Sequence, residues 1–523
     1  MKKHIWVIGA ITIVCAYGQA PELAAITSAA DALGGEARIR SLRTLVVEGS
    51  GTNPNVGQNR NPDDPLPDWK VTDYRKTIDL MNGRMGIEQR RQAQFAFSMA
   101  NDVRQNLCLD GDIAYNVGPD GKATRASEAV ARDRRIEMLG NPVVIIRAAL
   151  DPAAKLSHLR KEGNLQLVDL TTAKGDEVTL AMDATMHLPA SVRWLSASDN
   201  LGDIHNETFF QDYETVSGVK LPRRYLTKID FRNYTTADIR VSKNTIDADG
   251  GNLAAPAGVR AAAAPPPPTF TVNPVHVAQG VWWLQSSGNH SSAMYEFDDH
   301  LTMFEAPSSE AQAHALFAAA RAAVPSKPLT EIIISHHHFD HTGGLRAVVA
   351  EGLTIISHKD NEQFFRELVA RKATLRPDAL ARHPMPLKFK GVGEHAVLKD
   401  NSMEVELYQL KDNIHSGLML VAWVPRYRFL SQSDMFDAYW YRYLWTDNYF
   451  ENLERLHLHF DKDLPVHGRI MTYDEERKIV DAYKKSPEAF TDAAVKFCQS
   501  GGPCSGVAAV RAPEPSPARG PAK

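Results

Sequence analysis

The stretch that most constrains this chain is Ser335-His336-His337-His338-Phe339-Asp340-His341-Thr342-Gly343-Gly344. It directly follows Leu329–Ile334, a short apolar, β-branched run with the character of a buried strand. An amphipathic helix is expected after it, at about Leu345–Ala350. Four imidazoles and a carboxylate within six residues, placed after a buried strand, need many hydrogen-bond partners if they are only structural. Side chains two apart on an extended chain share a face, so His336 and His338 aim the same way. The turn into the helix directs Asp340 and His341 to a neighbouring point. Two ligand sets so close together are what a dinuclear metal site requires. The alternative is a surface histidine cluster, or Asp340 as a helix N-cap with incidental histidines.

A chain of 523 residues is too long for one core and predicts two domains plus linkers. A net charge of -4 gives no electrostatic case for nucleic acid or an anionic membrane. Beyond the N-terminus no apolar run is long enough to span a bilayer. The first twenty residues read as a signal peptide: Lys2 and Lys3, an apolar stretch Ile5–Tyr17, then small residues in Gly18-Gln19-Ala20. An uncleaved anchor, or lipidation at Cys15, stays open. A periplasmic or secreted location is therefore expected. Four alanines and then four prolines at Ala261–Pro268 mark an extended spacer, and residues 499–523 a disordered tail. The expected division is 1–20 signal peptide, 21–255 first domain, 256–268 linker, 269–497 second domain and 498–523 tail. Cys498 and Cys504 either close a small disulfide loop or are free thiols.

The first domain opens with a helix, Leu23–Leu33, ended by Gly34-Gly35. Alternating runs then predict strands at Leu42–Gly49, Ile113–Val117, Leu165–Leu170, Glu177–Met182, Ser191–Leu195 and Asp238–Ser242, with a helical interruption at Pro142–Leu150. The simplest architecture is a long antiparallel sheet curled around a helix or two. Ala32-Leu33-Gly34-Gly35, Leu188-Pro189-Ala190-Ser191-Val192 and Gly218-Val219-Lys220-Leu221-Pro222 resemble the periplasmic carriers of outer-membrane lipoproteins. That resemblance implies a half-barrel with an apolar concave face and a lipid-like ligand; the alternative is an accessory β domain. His158, His187 and His205 are scattered, and no nucleophile–base set is evident here.

The second domain should run through strands at Val275–Leu284, Ser292–Phe297 and Leu301–Glu305 and a helix at Ser309–Val324 before the histidine run. His336-x-His338-x-Asp340-His341 followed by Gly-Gly resembles the metal motif of the metallo-β-lactamase superfamily. The resemblance implies an α/β fold class, with an αβ/βα four-layer sandwich behind a mainly antiparallel β, half-barrel-like domain. It also implies that His336 and His338 bind a first metal, that Asp340 and His341 bind a second, and that His337 points elsewhere. Three further ligands are then expected downstream. His415 precedes the apolar run Leu418–Val424; His358, at the end of a strand Leu353–Ser357, is the rival, while His383 and His395 look solvated. Asp434, after Phe429–Ser433, should bridge the metals. His467, in Leu464-Pro465-Val466-His467-Gly468, follows a helix expected at Asp447–Phe460 that carries His457 and His459. Ser433 and Val466 stand where the family often has glycine.

All these donors are nitrogen or oxygen, which suits two zinc ions per chain, with iron or manganese as alternatives. Asp434 in place of a thiolate makes the set closer to the glyoxalase II type. Such a site lowers the pKa of a shared water, polarises the substrate oxygen, and lets Asp340 orient the nucleophile and carry a proton. The expected protein is thus a zinc-dependent hydrolase cutting an ester, lactone, thioester or amide-type bond in a small molecule. The alternatives are a β-lactam-hydrolysing enzyme, or a periplasmic carrier with an appended hydrolase domain. Met435–Trp445 carries five Tyr and Trp residues. Its Tyr439, Trp440 and Arg442, with Trp282 and the loop ending in His290, form a candidate substrate pocket; core packing is the alternative.

Overall fold

The computed structural model describes residues 20–95, 102–437 and 446–485. The expected signal peptide, Tyr439, Trp440, Arg442 and the Cys498–Cys504 loop lie outside the described residues.

A 13-stranded antiparallel sheet fills the chain from Thr44 to Ile246. It is built of two meanders, joined where the first strand, Thr44–Thr52, pairs with the last, Thr235–Ile246. Helices Pro21–Leu33, Glu128–Leu139 and Pro142–Ala149 pack on the sheet, with Ile26, Leu33, Ile145, Leu180 and Val192 fully buried. Pro142 starts its helix well because its missing N–H is one that no helical carbonyl needs, and the Asn141 side chain accepts from Val143 N–H. Helix Glu128–Leu139 was not expected. Its sequence is rich in charge, yet Arg134 is buried, donating to the carbonyls of Cys108 and Tyr115 at 2.7 Å each.

From Val272 on, two sheets pack face to face. One has seven strands (Val272 to Val392), the other five (His395 to Asp463), with Val281, Ile333, Ile356, Leu407 and Ala422 between them. Helices Glu310–Ala323, Leu345–Ala350 and Glu362–Ala370 cover the outer face of the first sheet. Thr446–Arg455 and Tyr473–Lys485 cover that of the second. This is the αβ/βα sandwich. Two local expectations need correction. Val275–Leu284 is not one strand but a hairpin, Val272–Ala278 and Val281–Ser286, turned by Gly280 at φ 76°. The helix expected at Asp447–Phe460 stops at Arg455, so His457 and His459 lie beyond it.

Ala257–Ala261 is a short helix whose Val259 packs against Cys108 and Tyr115, and residues 262–271 follow without regular structure. The two halves share a core: Leu201, Ile229 and Phe231 of the first half pack with Phe364, Phe365 and Leu368. Arg232 donates to both oxygens of Glu367 at 2.7 and 3.0 Å, and Asp203 accepts from the backbone of Thr374 and Leu375.

Candidate metal centre

Strand Leu329–Ile333 delivers its buried end to the rim of the sandwich, where the chain breaks into residues 334–338 and then a single helical turn, Phe339–Thr342. His336, His338 and His341 are wholly buried there. The other candidates arrive from the second sheet. His415 stands before strand Leu420–Val424, Asp434 just after strand Phe429–Ser431, and His467 after strand Lys462–Asp463. Ligand atoms of His336, His338, His415 and Asp434 all lie within 4.8 Å of one another. Those of His290, Asp340, His341 and His467 form a second such group, also within 4.8 Å.

Asp434 joins the groups. Its Oδ2 lies 2.7 Å from His415 Nε2 and 3.5 Å from His336 Nε2, while Oδ1 lies 3.0 Å from His341 Nε2 and 2.9 Å from His467 Nε2. A carboxylate that turns one oxygen to each cluster has the geometry of a bridge.

The far sides of the rings are held by hydrogen bonds that decide which nitrogen each presents. His336 Nδ1 meets Ser335 Oγ at 2.9 Å, His467 Nδ1 meets the Asn289 carbonyl at 2.8 Å, and His338 Nε2 meets the Asn59 carbonyl at 2.7 Å. Burial pushes His338 and His290 down to about 3, and His336 well below its usual range. All three are thus neutral at physiological pH, the form that ligates metal. Burial opposes charge on His341 too, but Asp434 and Asp340 outweigh it and raise its pKa. Burial works to raise the pKa of Asp434, and His341 and the other rings facing it hold it well below the usual carboxylate range.

The residues fit a metal on two further counts. His290 Nε2 is buried without a hydrogen-bond partner, a costly state for an imidazole unless a cation completes it. Glu305, also fully buried, accepts from Ser335 N–H at 2.9 Å and stands 3.7 Å from His341 Nδ1, the carboxylate–histidine pairing that orients metal ligands.

The structure therefore brings together all seven residues expected as ligands: His336, His338, His415, Asp340, His341, Asp434 and His467. His290 needs correction. Read from sequence as a pocket residue, it sits inside the second cluster, its ring 4.4 Å from that of His467. Trp282 also departs from expectation. Its indole bonds Glu296 and lies 4.6 Å from the His276 ring, tilted 56° to it, on the helix-covered side of its sheet. His358 caps a turn through Asp360 N–H, and His337 faces Phe364.

Residues 288–398 match the family model of the metallo-beta-lactamase superfamily. No curated protein matches the chain. Solved structures similar to it include the DIM-1 metallo-beta-lactamase (13% identity, 41% of this chain and 98% of that one, TM-score 0.31). Others are a metallo-beta-lactamase from Hirschia baltica (16%, 40% and 96%, TM-score 0.31) and a flavodiiron core from Synechocystis (14%, 42% and 61%, TM-score 0.34).

Proposed function

From a second half with the metallo-β-lactamase fold, we propose that the protein is an exported, dinuclear zinc hydrolase. Its substrate would be a small molecule carrying an ester, lactone, thioester or amide-type bond. The observation that carries this reading is Asp434, with one oxygen toward each of two nitrogen-rich clusters. His336, His338 and His415 would hold one ion, and Asp340, His341, His467 and His290 the other. Such ions lower the pKa of water to near neutrality and polarise the scissile carbonyl.

The protein's own part is positioning and proton transfer. Asp340 is partly exposed, its side chain 43% accessible and its Oδ2 3.6 Å from His341 Nε2. It can orient the attacking water from the solvent side and pass a proton to the leaving group. Its pKa is below the usual range: burial would raise it, but His341, His290 and His338 outweigh that. Export rests on the basic start and the apolar Ile5–Tyr17 stretch. A carrier role for the first half has one supporting observation, a cavity of about 430 Å³ beneath Tyr74, Trp194 and Tyr225, large enough for a small amphiphile.

The test is a panel of chromogenic ester, lactone, thioester and β-lactam substrates on the mature protein, before and after chelation. Turnover of at least one acyl substrate, abolished by chelator and restored by zinc, is expected. Chelator-insensitive turnover, or none on any substrate, overturns the reading.

A further inference from the structure

The loop between strands Thr44–Thr52 and Trp69–Asp79 leaves the large sheet and lies against the metal centre. Its base is closed by Asn55 N–H donating to the Pro67 carbonyl at 2.8 Å. At its tip, consecutive residues engage the segment that carries the histidine motif. The Gly57 carbonyl accepts from Phe339 N–H at 3.1 Å, Gln58 Nε2 donates to Asp340 Oδ1 at 2.8 Å, and the Asn59 carbonyl lies 2.7 Å from His338 Nε2. Arg60 then clasps the other side of the site. Its guanidinium donates to the Asn413 carbonyl and its own carbonyl accepts from Gly417 N–H, each at 3.0 Å, on either side of His415.

The approach is too tight to be incidental. Gly57 has φ 78°, and a Cβ there would stand 2.2 Å from the Phe339 ring. Asn59 is 1% exposed, and its amide is spent inside the loop on the Asp64 carbonyl. Its own carbonyl is left aimed at the histidine.

We propose that residues 57–60 of the first half are a positioning element of the metal centre, so that the large sheet completes the hydrolase site. The inference rests on reading His338 and Asp340 as ligands. With the Asn59 carbonyl taking the Nε2 proton of His338, Nδ1 is the nitrogen presented to the metal. With Gln58 holding Oδ1 of Asp340, Oδ2 is the oxygen turned toward His341. A hydrolase domain that needs this loop cannot be separated from the sheet at the Ala/Pro tract without loss of ligand geometry.

The test uses the full chain loaded with cobalt(II), read by its visible spectrum and by competition with a chelator. Gln58→Ala and Gln58→Glu should each weaken cobalt binding by about 10–100-fold, the usual effect of removing an outer partner of a ligand. They should also shift the spectrum, with metal-free melting of each variant as the control for folding. Glu fills the same space but cannot donate to Asp340, so it should be no better than Ala; rescue by Glu would reduce the residue to packing and overturn the proposal. Gly57→Ala, which pushes the loop off Phe339, should give the larger loss. Parent-like affinity and spectrum in all three variants overturn the proposal. A parent protein that binds no cobalt would instead remove the hydrolase reading beneath it.

Discussion

Replacing His290 with alanine is the perturbation that best separates a ligand from a bystander. The residue is half-buried, its Nδ1 faces the Gly288 carbonyl at 3.2 Å, and its buried Nε2 has no hydrogen-bond partner. It shares a group with Asp340, His341 and His467. If it ligates, the second metal position falls from four protein donors beside the bridge to three. Loss of a direct donor should exceed the roughly 10–100-fold cost of losing an outer partner. We therefore expect the second ion to bind about 100-fold or more weakly, about 2.8 kcal/mol at 1.4 kcal/mol per tenfold. The first ion, held by His336, His338, His415 and Asp434, should be little affected. Zinc titration against a fluorescent chelator resolves the two sites, with melting of the metal-free protein as the control. If His290 only fills space, the result inverts: melting falls, as for any emptied core position, while both affinities stay at the parental values. That outcome would refute the assignment.

Asp340→Asn should cut turnover by about 100-fold or more, since proton transfer by a positioned group contributes about 10²–10⁴; steady-state kinetics on zinc-saturated variant would show unchanged kcat if Asp340 plays no such part. Asp463 and Glu476 are buried against each other, and burial raises both pKa values, that of Asp463 to about 7. A raised carboxylate pKa stabilises the fold at pH values below the unfolded pKa, and that contribution is lost as pH rises through the folded value. Glu476→Gln should therefore gain stability over the parent between pH 5 and 8, by about 1–3 kcal/mol; a pH-independent difference in denaturant midpoint would contradict this. Arg232→Ala removes the guanidinium that spans Glu367 and the Phe364 ring across the two halves. It should cost about 2 kcal/mol, midway between an exposed and a buried pair, and parental calorimetric melting would count against a shared core.

The motif at 336–341 was legible because its ligands are local: a buried strand that ends in histidines two apart has few structural uses. His415, Asp434 and His467 could be placed because each stands at a strand end, where the sandwich delivers side chains to one rim. His290 left no such trace. It lies in the ordinary loop Ser287–Ser291 and reaches the cluster only because the neighbouring hairpin carries it there. Gln58 was out of reach altogether: it is a neutral amide 282 residues from its partner Asp340, in a Gly, Asn and Pro loop that reads as a turn. Short strands such as Ile113–Val117 matched their alternation. Longer ones were hidden where bulges break the period, as between Thr72 and Arg75, where Asp73 takes φ 52°.

The central claim, a dinuclear metal centre that performs hydrolysis, is tested most directly by elemental analysis and ester turnover on the same samples of the full chain. About two divalent ions per chain are expected, with zinc predominant from zinc-replete medium. Turnover should fall with the metal on chelation and return with it on reloading. A folded protein holding well under one ion per chain, or one whose turnover survives removal of its metal, would contradict it.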